Sequence, residues 1–429
     1  MLIQEFLNGL SAGAFDETFR RLYGGVEQNV LRQRARYISA VEHFSKLYPE
    51  CGEIRVFSAP GRTEVGGNHT DHQHGCVLAA AVGLDVIAIV GQFEKDVIRI
   101  KSEGYPEDAV ELSDLEPAAE EKGSSAALIR GVAAGFKALG AELEGFCAYT
   151  TSDVLSGSGL SSSAAFENLV GTVIDRLFNG GKAGAVEIAK IGQFAENVYF
   201  GKASGLMDQM VSSVGGFVAI DFADPAAPVI EKVDFDFSGA GYSLCITDTK
   251  GSHADLTPDY AAIPEEMRSV ARELGAEVLR DVDEEEFYKA VPALREKCPD
   301  RAVLRAAHFF DENRRAQDEA AALGNGDTEE FFRLVRESGD SSAQLLQNLY
   351  SAGRPLDQEI TLAIMLSKRI LNGSGAVRVH GGGFAGTIQA FVPNYLAQTY
   401  AAEMDRVFGQ GSCRILSIRP VGGTELTLL

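Results

Sequence analysis

The spacing of apolar and polar positions predicts a mixture of helices and strands in the first half of the chain. Apolar residues recur on one helical face over residues 26–47, and a near-continuous apolar run over 77–90 predicts a buried strand. Alternation through Ile54 and Val56 predicts a short strand that ends at residues 59–61. Further strands are predicted over 97–101, 145–151, 216–222 and 242–249, and further helices over 124–139, from the 155–164 loop to about 178, and over 185–200.

The second half of the chain follows a different order. Residues 258–351 are mostly helical in pattern, and a proline-containing stretch at 225–228 predicts a domain boundary before them. The final order, helix, strand, strand, helix, strand, indicates a split β-α-β layer in which helices cover one face of an antiparallel sheet. The fold class is therefore α+β. These final elements are predicted over 356–371, 375–380, 386–392, 394–408 and 413–418.

The net charge of the chain limits the kinds of molecule that it can be expected to bind. The 429 residues carry 61 Asp and Glu against 39 Lys and Arg, a formal net charge of −22. Nucleic-acid binding needs a basic footprint, so we expect no nucleic-acid partner. We also expect no membrane association, because the longest apolar stretch is too short and too broken to span a bilayer. ATP is compatible with an acidic chain, since Mg²⁺ and backbone amides offset the field of the protein.

The cysteines and the N-terminal residues indicate the cellular compartment in which the protein is expected. The six cysteines are scattered singly and include no C-x-x-C pair, so we expect free thiols in a reducing environment. The N-terminal residues lack the basic region and apolar core of a secretory signal. The chain is therefore predicted to be cytoplasmic, with two to three domains for its length.

A loop rich in glycine and serine, Leu155 to Ala164, is the first candidate site. Gly157 and Gly159 let backbone amides approach an anion closely, and three serines follow where the next helix begins. A helix N-terminus favours phosphate through its free N–H groups and its dipole, and a serine hydroxyl there can ligate Mg²⁺. No lysine follows the glycines, so the loop is not a Walker motif. The alternative interpretation is an ordinary loop with a serine helix cap.

A polar segment between residues 59 and 75 is the second candidate site. It places Arg62, Glu64, Asn68, three histidines and Asp71 among several glycines. Such a loop suits a sugar, because neutral hydroxyls need paired donors and acceptors and Asp71 can accept from two adjacent hydroxyls. The histidines have no recognised zinc spacing, so a metal site is a minority interpretation beside a solvated turn.

Two shorter segments complete the set. Asp208 lies among apolar residues in 205–210, where a carboxylate is costly unless it is paired. Three consecutive glycines in 379–386 indicate close approach of the backbone to a ligand or to another loop. An ordinary helix acid and a plain hairpin turn are the alternatives for these two segments.

Taken in this order, the four segments resemble the signature motifs of the GHMP kinases, and among them the galactokinases. The matching stretches are 60–75, 155–164, 205–209 and 381–386, and the resemblance extends from about residue 44 to the C-terminus. It implies a two-domain fold, with an N-terminal domain like the second domain of ribosomal protein S5 and a C-terminal ferredoxin-like domain. The implied division is a helical extension over 1–40, an N-terminal kinase domain over 41–225 and a C-terminal domain over 226–429.

The resemblance also implies roles for individual residues. Asp208 and Arg62 match the catalytic pair of the family, and Ser163 and Glu196 match its Mg²⁺ ligands. Tyr260, seven residues after His253, has the spacing of a tyrosine near the sugar. The full implied sugar-binding set is Asn68, His69, Asp71, Gly205 and Tyr260, and the implied ATP-binding set is Gly157, Ser158, Gly159, Leu160, Ser161, Ser162, Ser163 and Ala164.

Some positions depart from the family pattern. Asn68 replaces a glutamate that faces the hydroxymethyl end of the sugar, and His72 replaces a tyrosine, whereas Glu64 stands where asparagine is typical. Leu155 and Ala385 replace a loop proline and a glycine. Because Asn68 removes a negative charge, we hypothesise a preference shifted toward galacturonate or another modified hexose.

The preferred interpretation is an enzyme, a monomer or weak homo-oligomer, that makes α-D-galactose 1-phosphate from galactose and ATP. Kinases for galacturonate, N-acetylgalactosamine or L-arabinose are alternatives within the enzyme class. A non-catalytic galactose and ATP sensor is the alternative outside it. The presence of Arg62, Asp208 and the loop serines favours the enzyme.

Overall fold

The computed structural model describes residues 1–92, 95–154, 159–202, 204–252 and 256–427. Helices α6 and α11 continue directly into π-helical turns, Ala195–Phe200 and Ser342–Leu346. The helices are α1 (Ile3–Ala12), α2 (Asp16–Tyr23), α3 (Glu27–Leu47), α4 (Ser125–Ala138), α5 (Ser162–Phe178), α6 (Gly184–Phe194), α7 (Met207–Val214), α8 (Thr257–Glu273), α9 (Glu284–Lys297), α10 (Asp300–Gly324), α11 (Thr328–Ser341), α12 (Glu359–Leu371) and α13 (Asn394–Phe408).

The strands form two sheets. The first has the order β12-β1-β2-β5-β3-β4, and β2 also pairs with β6, which pairs with β7; the second has the order β11-β8-β10-β9. The strands are β1 (Arg55–Gly66), β2 (Cys76–Gly91), β3 (Val97–Ser102), β4 (Glu107–Glu111), β5 (Phe146–Ser152), β6 (Phe217–Asp221), β7 (Val229–Val233), β8 (Tyr242–Asp248), β9 (Ala376–Val379), β10 (Thr387–Pro393), β11 (Cys413–Leu416) and β12 (Thr424–Glu425).

Strand β2 explains how the first sheet is covered on both faces. All of its residues are buried, which is why its sequence is a continuous apolar run rather than an alternation. Its even-numbered positions from Leu78 to Val90 face the main core, together with apolar residues of α4 and α5. Its odd-numbered positions face two other clusters: Val77 packs with α6 and α7, and Ile87 packs with the N-terminal helices α1–α3.

The N-terminal helices are fastened to the sheet through a buried carboxylate, Asp85 of β2. Its Oδ1 accepts a hydrogen bond from Arg36 of α3 at 2.6 Å. Its Oδ2 accepts hydrogen bonds from Tyr23 of α2 at 2.6 Å, from Arg419 at 3.0 Å and from Ser58 of β1. Burial alone would raise the pKa of Asp85, but the charges of Arg36 and Arg419 outweigh it and hold the pKa below its ordinary value.

The second sheet and its helices form a β-α-β-β-α-β unit. Strand β8 precedes the long helical region, and β9, β10, α13 and β11 close the unit, with every strand pair antiparallel. Helices α12 and α13 pack on one face through residues such as Ile360 and Tyr400. This topology agrees with the predicted helix, strand, strand, helix, strand order and supplies β8 as its first strand.

Two sequence-based expectations differ from the structure. Strand β1 does not end at residues 59–61, because a register shift between Pro60 and Arg62 places the proline at a bulge, where its missing N–H leaves no gap in the ladder. The second sheet is covered on both faces rather than one, since Phe391 of β10 packs against Phe331 of α11, with ring centroids 5.1 Å apart.

The predicted domain limits fall within or beside continuous structure. Helix α3 runs through residues 40 and 41, and β7 follows residue 226 while still pairing with β6 of the first sheet. The division of the chain into three parts stays a prediction. In the described part of the chain, no helix has both the length and the apolar character needed to cross a membrane.

The Asp85→Asn variant tests the buried carboxylate. A neutral amide removes the acidic partner of the buried Arg419 and leaves Arg36 with Asp153 alone, so we expect a loss of about 3–5 kcal/mol in the free energy of unfolding at pH 7. Because the native pKa lies below the ordinary aspartate value of 3.8, this contribution is present above that pH and disappears as the pH falls through the native pKa. Urea denaturation of wild type and variant at several pH values measures it.

The exposed Asp234 gives a matched control, and its change to asparagine is expected to alter stability by less than about 0.5 kcal/mol. Equal unfolding free energies for wild type and Asp85→Asn at pH 7 would show that the buried network carries no stability.

Candidate active site

The bulge in β1 turns the side chain of Arg62 toward helix α7. Its Nε donates a hydrogen bond to Asp208 Oδ1 at 2.7 Å, and its Nη1 donates to the carbonyl of Gly159. The backbone N–H of Arg62 donates to the carbonyl of Leu160 at 3.1 Å, which fastens the strand to the end of the Gly/Ser loop. Two residues 146 positions apart in the sequence therefore meet as an ion pair beside the loop.

The carboxylate of Asp208 is held in its ionised form. Burial would raise its pKa, but the charge of Arg62 and hydrogen bonds from Arg62 and Ser161 outweigh burial and hold the pKa below the ordinary value. The side chain keeps 29% of its surface exposed, against 12% for Arg62. The group is therefore a charged acceptor with an open side, flanked by two donors.

The Gly/Ser loop meets helix α5 at Ser161, whose backbone is in the left-handed region with φ +56°. Its hydroxyl donates to Asp208 Oδ2. Gly159 also has a positive φ, +73°, and a Cβ there would lie 3.2 Å from the ring of His380, so the loop turns tightly against that buried side chain. The predicted Gly157 and Ser158 lie outside the described residues, whereas Leu160 and Ala164 are buried and Ser162 begins the helix.

In the first turn of α5, Ser163 faces the carboxylate of Glu196, with 3.1 Å between Oγ and Oε1. Glu196 is almost fully buried and lies in the π-helical turn after α6. Lys202 Nζ also contacts Oε1, at 2.8 Å. Oε2 accepts from Ser204 Oγ at 2.5 Å and from Gln209 Nε2 at 2.9 Å.

A second buried carboxylate lies behind Glu196. Gln209 Nε2 donates to Glu167 Oε2 at 2.9 Å as well as to Glu196, so one amide group bridges the two acids. Burial, together with the charge of Glu196, raises the pKa of Glu167 to about 8. Glu167 is therefore mostly in its neutral form at pH 7.

The polar segment after β1 places Asp71 opposite Gly205. Asp71 begins a short 3₁₀ turn, and its Oδ1 accepts from the backbone of His72 at 2.9 Å. A Cβ on Gly205 would lie 3.6 Å from Asp71 Oδ2, so glycine keeps the space beside this carboxylate open. The side chain of Asp71 keeps 24% of its surface exposed, so a hydroxyl-bearing ligand can reach its carboxylate.

His69 and Tyr260 are both anchored to the glycine cluster 381–386. The Nε2 of His69 donates to the carbonyl of Gly382 at 3.1 Å, and burial holds the pKa of this histidine well below its ordinary value. The imidazole is therefore neutral, which leaves Nδ1 as an acceptor. The hydroxyl of Tyr260 donates to the carbonyl of Gly383 at 2.9 Å, while His253, from which its spacing was counted, lies outside the described residues.

The side chain of Asn68 faces the interior instead of an open pocket. Its Nδ2 donates to Glu64 Oε1 and to the carbonyl of Gly381, both at 2.8 Å. Its Oδ1 accepts from Asn348 Nδ2 at 2.9 Å and from the hydroxyl of Ser342. The residue is 1% exposed, so its amide has no free hydrogen-bonding capacity for a sugar hydroxyl.

Several residues of the site had no sequence signal. Arg378 is fully buried and donates to Glu64 Oε1 at 3.2 Å, and it also donates to the carbonyl of Val65. Glu64 departs visibly from the family pattern, but nothing in the sequence pairs it with a residue 314 positions away. Nothing in the sequence indicates a role for Lys202 or Ser204 either, because isolated polar residues in a loop are usually solvated.

Neither a metal cluster nor a large cavity locates the site. Among the described residues no three His, Cys, Asp or Glu side chains gather around a point, and this covers the three histidines of 69–74. A cavity of about 630 Å³ lies between α10 and strands β6 and β7, and Asp208 is not among the residues that line it. The convergence of polar side chains on the Arg62–Asp208 pair is what marks the site.

Comparisons with known proteins agree on one family. Residues 42–92 match the model of the galactokinase galactose-binding signature, and residues 127–216 match the model of the GHMP kinase N-terminal domain. The galactokinase of Actinobacillus pleuropneumoniae serotype 5b is 31% identical over 83% of this chain and 89% of its own length. That of Streptomyces coelicolor is 30% identical over 81% of this chain and 86% of its own length.

Solved structures share the fold. A crystal structure of Lactococcus lactis galactokinase complexed with galactose aligns with a TM-score of 0.75 at 23% identity, over 90% of this chain and 98% of that one. A mevalonate kinase aligns with a TM-score of 0.59 at 15% identity, over 84% and 99%. The fold is that of the GHMP kinases, and by its similarity to the curated relatives the chain belongs to the galactokinase family.

Proposed function

We propose that this chain transfers the terminal phosphoryl group of ATP to the anomeric hydroxyl of galactose, giving α-D-galactose 1-phosphate and ADP. The observation that carries the proposal is the ion pair of Arg62 and Asp208, through which the polar segment is joined to α7 and, at Gly159, to the Gly/Ser loop. Phosphoryl transfer depends mainly on positioning and on stabilising charge, and an ionised acid beside a fixed guanidinium supplies both.

Asp208 would hold the sugar hydroxyl in line with the terminal phosphorus. Because its pKa is lowered, Asp208 is a weak base, so it would take the proton late, as the new O–P bond forms and the hydroxyl becomes acidic. Arg62 would keep Asp208 charged and face the phosphoryl oxygens as negative charge moves onto the leaving ADP.

The nucleotide side consists of the start of α5 and Glu196. The free N–H groups of that helix start and the serine hydroxyls would bind the phosphates. The hydroxyl of Ser163 and the carboxylate of Glu196 give a hard oxygen donor pair that fits Mg²⁺, and with phosphate oxygens and water they would hold it. Bound there, Mg²⁺ would neutralise the phosphates.

The sugar side would be formed by Asp71, His69, Gly205 and Tyr260. Asp71 Oδ2 and the neutral His69 Nδ1 would accept from sugar hydroxyls, while Gly205 leaves room for the ring. Tyr260 would act through the glycine cluster that it braces. Asn68 would support the segment from behind, since its amide is already fully bonded. We infer a cytoplasmic enzyme, supported by six buried cysteines that form no disulfide. We also infer that it works as a monomer or weak homo-oligomer.

A panel of free sugars tests the substrate. With ATP and Mg²⁺ present, we expect the highest kcat/KM for ADP release with galactose and lower values with galacturonate, N-acetylgalactosamine and L-arabinose, because Asn68 is turned away from the pocket. A coupled assay for ADP measures it. Equal or better turnover of galacturonate would show that the substrate is a uronate. Binding of galactose and ATP without ADP release would indicate a sensor.

The Asp208→Asn variant tests the catalytic assignment. An amide cannot accept the hydroxyl proton, so we expect kcat to fall by about 10²–10⁴ while the dissociation constant for galactose changes by a few-fold at most. Steady-state kinetics and calorimetry measure the two quantities. The exposed Asp318 provides the control, Asp318→Asn, which should match the wild type. A folded Asp208→Asn protein with near-wild-type kcat contradicts the assignment.

The Asp71→Ala variant tests the sugar site. Loss of the acceptor leaves a sugar hydroxyl unpaired at a cost of about 1–3 kcal/mol, equivalent to a rise of about tenfold to a hundredfold in the KM for galactose. The KM for ATP should change little, because Asp71 lies on the opposite side of Asp208 from the proposed phosphate site. An unchanged sugar KM would place the sugar elsewhere.

A further inference from the structure

The proposed metal ligand Glu196 already has a full set of donors. Its Oε1 accepts from Ser163 Oγ and Lys202 Nζ. Its Oε2 accepts from Ser204 Oγ and Gln209 Nε2. A carboxylate offers about four lone-pair positions, so these four donors use all of them. A divalent cation can therefore bind Glu196 only after one donor has left.

Lys202 is the donor most easily displaced. Its side chain is 58% exposed, whereas Glu196 is 2% exposed. The residue before it, Gly201, has a φ of +84°, a conformation that ends the π-helical turn and starts a loop. Of the four donors, Lys202 alone carries a positive charge, which an incoming divalent cation would repel. The other three are neutral groups that can stay in place.

Without a metal ion, the ammonium of Lys202 compensates the negative charge of Glu196. Glu196 is buried close to Glu167 and to the ionised Asp208, and an unpaired buried carboxylate would be costly. The ammonium of Lys202, 2.8 Å from Glu196 Oε1, supplies the opposite charge that this buried carboxylate needs. An exposed cation is therefore the counter-ion of a buried acid.

The proposed phosphate site beside the Gly/Ser loop offers this cation a second binding partner. No lysine follows the loop glycines in the sequence, so the loop itself brings no ammonium to the phosphates. Arg62 brings one cation to the loop, and its guanidinium is shared with Asp208 and Gly159. Lys202 shares a carboxylate oxygen with Ser163 of the first turn of α5, which puts its ammonium next to the proposed phosphate site.

We propose that Lys202 is a further phosphate-binding residue of the proposed kinase reaction. In the nucleotide-free protein it is the counter-ion of Glu196. When Mg²⁺ arrives with ATP and takes that carboxylate, the ammonium moves on its four-carbon stem to the terminal phosphate oxygens. The inference rests on the proposed function only in that ATP is the nucleotide, since it concerns phosphate and metal binding and not the sugar.

Calorimetric titration of Mg²⁺ with AMPPNP, and of Mg²⁺ with ADP, tests this in the full chain. For Lys202→Met we expect the affinity for Mg²⁺-AMPPNP to fall by about tenfold to a hundredfold, the contribution of one charged hydrogen bond. The affinity for Mg²⁺-ADP should not fall, because ADP lacks the terminal phosphate and the metal no longer competes with the ammonium for Glu196. Lys202→Arg should recover at least part of the lost affinity, and Lys190→Met, at an exposed lysine of α6, should bind both nucleotides like wild type.

The concentration of free Mg²⁺ that gives half-maximal ADP release supplies a second readout. It should fall in Lys202→Met, because the metal no longer competes with the ammonium for Glu196, while kcat also falls. A salt bridge with a purely structural role predicts unchanged affinity for Mg²⁺-AMPPNP, and that result, or equal weakening of AMPPNP and ADP, overturns the proposal. If no sugar supports ADP release but the difference between the two nucleotides persists, the proposed function fails and the assignment of Lys202 stands.

Discussion

The structure depends on the pairing of charges that the first sheet takes out of water. β1 carries Arg62 and Glu64, and neither could be buried without an opposite charge. Arg62 pairs with Asp208 of α7, and Glu64 pairs with Arg378 of β9. On the neighbouring strand, Asp85 pairs with Arg36 and Arg419. Each pair joins the sheet to a different part of the chain, so the need to compensate buried charge also determines where those parts are held.

The same pairing prepares the site for chemistry. Asp208 lies among buried groups and is nevertheless ionised, because Arg62 and Ser161 stabilise its charged form. Behind Glu196, Glu167 is mostly neutral at pH 7, since burial and the charge of Glu196 raise its pKa to about 8. Negative charge is therefore present where a hydroxyl or a metal would meet it and absent in the layer behind. This division follows from the environments of the acids, because their side-chain chemistry is nearly the same.

Backbone conformation at the site supports the same conclusion. His69, Ser161 and Phe384 all have positive φ, an uncommon conformation for residues with a side chain. Each is held by contacts to another element: His69 to Gly382, Ser161 to Asp208, and Phe384 through its N–H to the carbonyl of Asn348. These contacts tie the polar segment to the glycine cluster, the Gly/Ser loop to α7 and the glycine cluster to Asn348, so the surroundings and not the local sequence keep the three segments in these conformations.

The sequence by itself determined most of the elements and the family, and it predicted the residues proposed for the chemistry, because periodicity, glycine spacing and short motifs are local properties of the chain. Only the tertiary structure decided what each of those residues faces. Asn68 turned out to be buried and fully bonded, Arg378 to neutralise Glu64, and Lys202 to pair with Glu196, contacts that depend on orientation or on partners far apart in the chain. Burial and the position of opposite charges set these outcomes, and both arise only when distant segments pack together.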